Sequence, residues 1–78
     1  MKKVIVYSTT ACPYCVVAKN FLKENNIEFE AKDVGSDVTA REEMVAKTGQ
    51  MGVPVIDIDG EIVVGFNEGA LRELLDIK

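Results

Sequence analysis

Four consecutive apolar residues, Val4-Ile5-Val6-Tyr7, are followed within a few positions by a helical apolar stripe, and this pairing limits the fold more than any other feature of the chain. A strand that is apolar at every position must be covered on both faces, so helices have to pack on both sides of its sheet. Residues 13–25 read as the first of them. Val17, Ala18, Phe21 and Leu22 form one stripe, with Lys19, Asn20, Lys23 and Glu24 outside it. Asn25-Asn26 ends the pattern. From Ile27 alternation takes over, with Ile27, Phe29 and Ala31 pointing one way and Glu28, Glu30 and Lys32 the other, a strand with one wet face.

Gly35-Ser36-Asp37 breaks the chain, and Thr39-Ala40-Arg41-Glu42 then matches a capping box, with Thr39 as N-cap and Glu42 at the third helical position. The helix it opens runs to about Thr48 and stops at Gly49. Val53 to Ile58 and Glu61 to Val64 are β-rich runs separated by Asp59-Gly60, a type I′ hairpin signal. Asn67 caps a last helix with the stripe Ala70, Leu71, Leu74 and Leu75. The order is βαβαββα. Its first β–α–β is expected as a right-handed parallel crossover and its last two strands as antiparallel. The fold class is therefore α/β, a mixed four-stranded sheet flanked by three helices, in one domain over residues 1–78. At 78 residues the core is modest, since so short a chain buries only about 60% of its unfolded surface.

Composition excludes several function classes. The net charge is −4, which argues against nucleic acid as a partner, because that binding rests on basic surface. Histidine is absent, so a histidine base, ligand or pH switch is excluded. The two N-terminal lysines resemble the start of a signal peptide, but the four-residue apolar run behind them is short of the roughly 7–15 residues of a secretory core. No stretch approaches a membrane span. These features predict a cytoplasmic protein, in a compartment that keeps thiols reduced; a monomer is the expected state.

Against that background stand the chain's two cysteines, in Cys12-Pro13-Tyr14-Cys15. As a staple, a loop this short is worth only about 2 kcal/mol, and it constrains little that the helix start does not. As a zinc site it supplies two of the four ligands usually needed, so a metal would have to be shared across a dimer. Redox chemistry fits a Cys-x-x-Cys near a βαβ pattern better. Cys12 falls at the junction of strand and helix. Pro13 suits the first helical position, where its missing N–H costs nothing. The free amides of Tyr14 and Cys15, with the helix dipole, then favour a thiolate at Cys12. Thiols so placed have pKa values of roughly 3.5–7.5 against about 8.5 when free. Cys12 is thus predicted as the attacking thiolate and Cys15, one turn on, as the shielded resolving thiol. Gly52-Val53-Pro54 is the second signal. Either Pro54 opens an edge strand, or the Val53–Pro54 bond is cis and leaves the Val53 N–H and C=O free to pair with an extended substrate.

With CPYC at 12–15, REEM at 41–44, GVP at 52–54 and GFN at 65–67, the chain resembles the dithiol glutaredoxins along its whole length. The resemblance implies a thioredoxin fold with sheet order 2-1-3-4. It implies reduction of protein disulfides and of glutathione mixed disulfides at Cys12, with glutathione as reductant and no tightly bound cofactor or metal. It also implies binding residues for glutathione. The Val53 backbone, next to Pro54, corresponds to the group that pairs with the cysteinyl part, and Arg41 to the one that meets the glycyl carboxylate. Asn67 and Glu68 correspond to the helix start that receives the γ-glutamyl carboxylate. Tyr14 lines the thiol, and Pro13, Gly65 and Phe66 complete the surface. Each has a plainer reading beside it: a solvated helix charge for Arg41, an N-cap for Asn67, a core side chain for Phe66. Two positions depart from the pattern. Thr9 stands where many glutaredoxins carry a lysine, and Val64-Gly65 where they carry Gly-Gly. Gly65-Phe66 instead resembles the NrdH-redoxins, which thioredoxin reductase reduces. A third class is a non-enzymatic module, a zinc-linked dimer or an iron–sulfur carrier; the resemblance implies that the proline of CPYC disfavours cluster assembly.

Overall fold

The computed structural model describes residues 3–77. In chain order the elements are β1 (Val4–Ser8), α1 (Pro13–Glu24), β2 (Glu30–Asp33), α2 (Val38–Thr48), β3 (Val55–Ile58), β4 (Glu61–Val64) and α3 (Glu68–Leu74). The strands form one sheet in the order β2-β1-β3-β4. β1 runs parallel to β2, from Ile5 opposite Glu30 to Ser8 opposite Asp33. It is antiparallel to β3, with Val4 opposite Ile58 and Tyr7 opposite Val55. β3 and β4 close the antiparallel hairpin predicted at Asp59-Gly60, whose φ angles are both positive.

All five residues of β1 are buried, as its unbroken apolar run requires. Alternate side chains serve two cores. Val4 and Val6, with Ile56, Ile58 and Val63, meet Ala18, Phe21 and Leu22 of α1 and Leu71 of α3. Ile5, Tyr7 and Val55 meet Ala40 and Met44 of α2, together with Val34. Truncating a fully buried side chain such as Leu22 to alanine costs about 2–5 kcal/mol.

The sheet face under α2 also carries a polar cluster. The Tyr7 hydroxyl donates to Glu43 Oε1 (2.6 Å) and accepts from Lys47 Nζ (2.7 Å). Lys47 also donates to Asp57 Oδ2 (2.7 Å), and Lys32 to Glu43 Oε1 (3.0 Å). Burial and then the contact with Glu43 push the Tyr7 hydroxyl above its ordinary pKa. Burial works against the charge on Lys47, but its hydrogen bonds to Asp57 and Tyr7 outweigh it and hold the ammonium above the usual lysine range. These bonds dock α2 onto β1 and β3, both central in the sheet.

Four local expectations need correction. Asp37, not Thr39, caps α2, its carboxylate accepting from the Ala40 amide at 3.1 Å. With Val38 already helical, Thr39 and Glu42 lie too far inside the helix to close a capping box. Strand β2 begins at Glu30 rather than Ile27, because the Ile27 amide is still engaged in ending α1, donating to the Leu22 carbonyl at 2.9 Å. Ile27 and Phe29 pack against the α1–α3 core without strand pairing, whereas Ala31, on the sheet edge, is exposed. In α1 Val17 is exposed, and Cys15 takes its place in the buried stripe with Ala18, Phe21 and Leu22. Strand β3 begins at Val55, just after the Val53–Pro54 peptide.

Candidate active site

The end of β1 delivers the chain into α1 through Thr9, Thr10 and Ala11, and Cys12 occupies the N-cap with extended backbone angles. An N-cap side chain ordinarily accepts from an amide of the first turn. Here the acceptor is sulfur: the Cys15 N–H donates to Cys12 Sγ at 3.1 Å. Pro13 is the first helical residue, as the sequence predicts. The other amide expected at the sulfur, that of Tyr14, makes no such bond among the described residues. Cys12 and Cys15 are joined as a disulfide. Cys12 is half-buried and Cys15 is 1% exposed, so approach from solvent favours the first sulfur.

Beside the first turn of α1 lies a shallow concavity of about 320 Å³, lined by Tyr14, Val53, Pro54, Gly65 and Phe66. Five residues from three separate stretches of sequence thus meet in one place. Tyr14 is two-thirds exposed, an aromatic face without a core function. The Val53–Pro54 peptide is cis. Pro54 is buried, and its carbonyl accepts from the Gly65 amide at 2.7 Å. Gly65 does this at φ 79°, in the left-handed region where a side chain is strained. Phe66 packs edge-on against Phe21, with ring centroids 5.7 Å apart, so it is at once core and lining. The Val53 side chain rests on the α2-side core, while no hydrogen bond within the described residues engages its N–H or C=O.

Arg41, Asn67 and Glu68 do not line this concavity. Arg41 is half-buried in the second turn of α2, and no ion pair or hydrogen bond holds its guanidinium among the described residues. Asn67 is the N-cap of α3, its Oδ1 accepting from the Ala70 amide at 3.1 Å. The Glu68 carboxylate is paired with Arg72 Nε at 2.8 Å, which leaves its backbone amide as the group it can offer. Thr9 borders the Asp33–Gly35 turn: a side chain at Gly35 would meet Asp33 Oδ1 at 3.1 Å and Thr9 Cγ2 at 3.7 Å. Sequence reasoning passed over Gln50 and Thr48, whose side chains hold the loop before Val53. Gln50 sits among loop residues with no apolar period to mark it. Among the described residues, no three His, Cys, Asp or Glu side chains gather as a metal-ligand set, and no helix is long and apolar enough to cross a membrane.

Comparison with known proteins agrees with this geometry. The glutaredoxin family model matches residues 4–63. A glutaredoxin-like 8.6 kDa protein in the rubredoxin operon of Clostridium pasteurianum is 46% identical, over 91% of this chain and 95% of its own. Glutaredoxin 3 of Escherichia coli K12 is 32% identical, over 87% of this chain and 82% of its own. Among solved structures, a mutant form of the thioredoxin-like protein BC3987 superposes with a TM-score of 0.93 at 42% identity, over the whole of both chains.

Proposed function

The chain belongs to the glutaredoxin family, and from that premise we propose that it reduces protein disulfides and glutathione mixed disulfides through Cys12 and Cys15, with glutathione as its reductant. The observation that carries the reading is the asymmetry of the two cysteines: Cys12 is half-buried and its Sγ receives an amide hydrogen bond, whereas Cys15 is enclosed.

The Cys12 thiolate attacks one sulfur of a substrate disulfide. A mixed disulfide forms, and the departing sulfur leaves as a thiolate that takes a proton. The deprotonated Cys15 sulfur then attacks Cys12 Sγ, releasing the second substrate thiol and closing the Cys12–Cys15 disulfide. One glutathione thiolate opens that bond at Cys12 and frees Cys15. A second attacks the resulting mixed disulfide, returning the dithiol and releasing oxidised glutathione. The Cys15 amide and the start of α1 stabilise negative charge on Cys12 whenever it is the leaving sulfur. The open N–H and C=O of Val53 suit the peptide groups of the substrate's cysteine, as in a one-residue strand addition. Tyr14 and Phe66 offer the apolar walls.

A second reading has an observation in its favour. Thr9 and the neighbouring Asp33 carboxylate supply no cation for a glycyl carboxylate, and Gly65-Phe66 matches the redoxin pattern, so thioredoxin reductase is the competing donor. A coupled assay separates the two: NADPH oxidation with glutathione and glutathione reductase, against NADPH oxidation with thioredoxin reductase alone. Turnover in the first and none in the second is the expected result, and the reverse replaces glutathione with the reductase. Cys15→Ser is expected to trap the substrate on Cys12 while glutathione-dependent turnover of mixed disulfides persists. Adducts found on Cys15 in the wild-type protein, after alkylation of the dithiol at neutral pH, overturn the assignment of roles.

A further inference from the structure

The segment between α2 and β3 has no regular structure, yet a single side chain fixes its middle. Gln50 Oε1 accepts from the Gly52 amide at 2.6 Å, and Gln50 Nε2 donates to the Gly52 carbonyl at 3.2 Å. A carboxamide carries an acceptor and two donors in one plane. It therefore meets both polar groups of a single residue much as a paired strand does. Gln50 Nε2 also lies 3.4 Å from Thr48 Oγ1, and that hydroxyl sits 2.8 Å from the Met44 carbonyl of α2. Gly52 is thus tied to the last turn of α2. A Cβ at Gly52 would come 2.7 Å from Gln50 Oε1, so a side chain there would push the Gln50 carboxamide aside. On the other side, Gly65 holds the Pro54 carbonyl. Between these two fixed points lies Val53, with its own N–H and C=O open.

We infer that Gln50 is a positioning residue for substrate binding: it occupies both peptide groups of Gly52, so that an extended substrate pairs with Val53 alone and in one register. The inference rests on the reading in which the Val53 backbone receives the substrate. Successive residues of an extended chain turn their peptide groups to opposite edges, so an open Gly52 would offer a substrate a second edge in competition with that of Val53. The ligand class served is a disulfide whose cysteine carries peptide groups on both sides, and a disulfide without peptide groups gains nothing from the device.

Single-turnover oxidation of the reduced protein tests this with two oxidants, oxidised glutathione and bis(2-hydroxyethyl) disulfide. Gln50→Ala is expected to raise the half-saturating concentration of oxidised glutathione about tenfold, the size of one lost hydrogen bond. The limiting rate and the rate with bis(2-hydroxyethyl) disulfide are expected to stay at wild-type values. Gln50→Glu keeps the acceptor for the Gly52 amide and is expected to fall between the two. Equal slowing toward both oxidants, or no change toward either, overturns the inference. A third oxidant, the glutathione disulfide methylated on its cysteinyl nitrogens, tests the premise. If the wild type does not distinguish it from oxidised glutathione, the Val53 reading fails and the inference with it. If the wild type does distinguish them while Gln50→Ala leaves the half-saturating concentration unchanged, the role of Gln50 alone fails.

Discussion

Arg41 and Glu68 show how one kind of residue, a charge on a helix, divides once the partners are known. Glu68 spends its carboxylate on Arg72 four residues on, an exposed pair of the sort worth a few tenths of a kcal/mol. Arg41 is half-buried, and nothing among the described residues engages its guanidinium. Such a cation is available to a ligand carboxylate, and arginine can take one bidentately. A charge-assisted hydrogen bond is worth about 1.5–3 kcal/mol where it is desolvated and less near the surface. Arg41→Ala is therefore expected to raise KM for a glutathionylated peptide several-fold. The iodoacetamide reactivity of Cys12 is expected to stay unchanged, because its stabilising amide belongs to Cys15. Steady-state kinetics beside a timed alkylation check both halves, and an unchanged KM returns Arg41 to the role of a solvated helix charge.

At the scale of elements, α2 is the one whose docking depends on polar contacts as well as apolar ones. Its two buried side chains are Ala40 and Met44, and beside them Glu43 and Lys47 reach down to Tyr7 and Asp57. Hydrogen bonds from Tyr7 and then Lys32 hold the Glu43 carboxyl below its ordinary pKa. Its contribution is thus present above the unfolded carboxyl pKa and is lost as pH falls through the lower folded value. Lys47 is shifted upward, so its contribution is complete below the unfolded lysine pKa and is lost as pH rises through the folded value. Between these limits, Lys47→Met leaves the nearly buried Asp57 carboxylate without its cation and is expected to cost about 2 kcal/mol. Adding Asp57→Asn is expected to recover much of that loss, because the buried charge is removed while an oxygen remains to accept from the Gly60 amide. Urea titrations of the two variants at neutral pH measure both, and equal midpoints for wild type and Lys47→Met refute the account. This cluster also marks what the sequence left unread. The β1 run, the Asp59-Gly60 turn, the Asn67 cap and the Gly49 stop were legible because each follows from one residue's local preference or from a period. Tyr7 and Asp57 read simply as strand positions, since their partners lie on α2, thirty-six or more positions from Tyr7 and ten from Asp57. The cap of α2 was misplaced because two acceptors, Asp37 and Thr39, stood within reach of one helix start. The Cys12–Cys15 pair and the cis Val53–Pro54 bond were legible from local motifs; the Gln50 clamp was not, since a side-chain-to-backbone contact in a loop leaves no periodic trace.

For the molecule as a whole, the choice of electron donor turns on charge around one end of the sheet. The chain carries a net charge of −4, and the ends of β1 and β2 place Thr9 against the Asp33 turn. On the glutathione reading, a glycyl carboxylate approaching from that side meets a hydroxyl and an anion, and Arg41 is the cation that the reading assigns to it. Thr9→Lys adds the cation that many relatives in the family carry, but the new ammonium also lies within reach of Asp33, and the two charges partly cancel. The single change is accordingly expected to lower KM for glutathionylated substrates by only about two- to threefold, well under the tenfold or more of a full charge-assisted bond. Asp33→Asn keeps the oxygen that accepts from the Gly35 amide at 2.8 Å, so the turn is preserved while its charge is removed. Thr9→Lys with Asp33→Asn is therefore expected to exceed the sum of the two single effects, a coupling that a double-mutant cycle on KM reads directly. Additive or absent effects, with efficient reduction of the wild-type protein by thioredoxin reductase, mean that the glycyl carboxylate never visits this corner, and the reductase then takes the place of glutathione as electron donor.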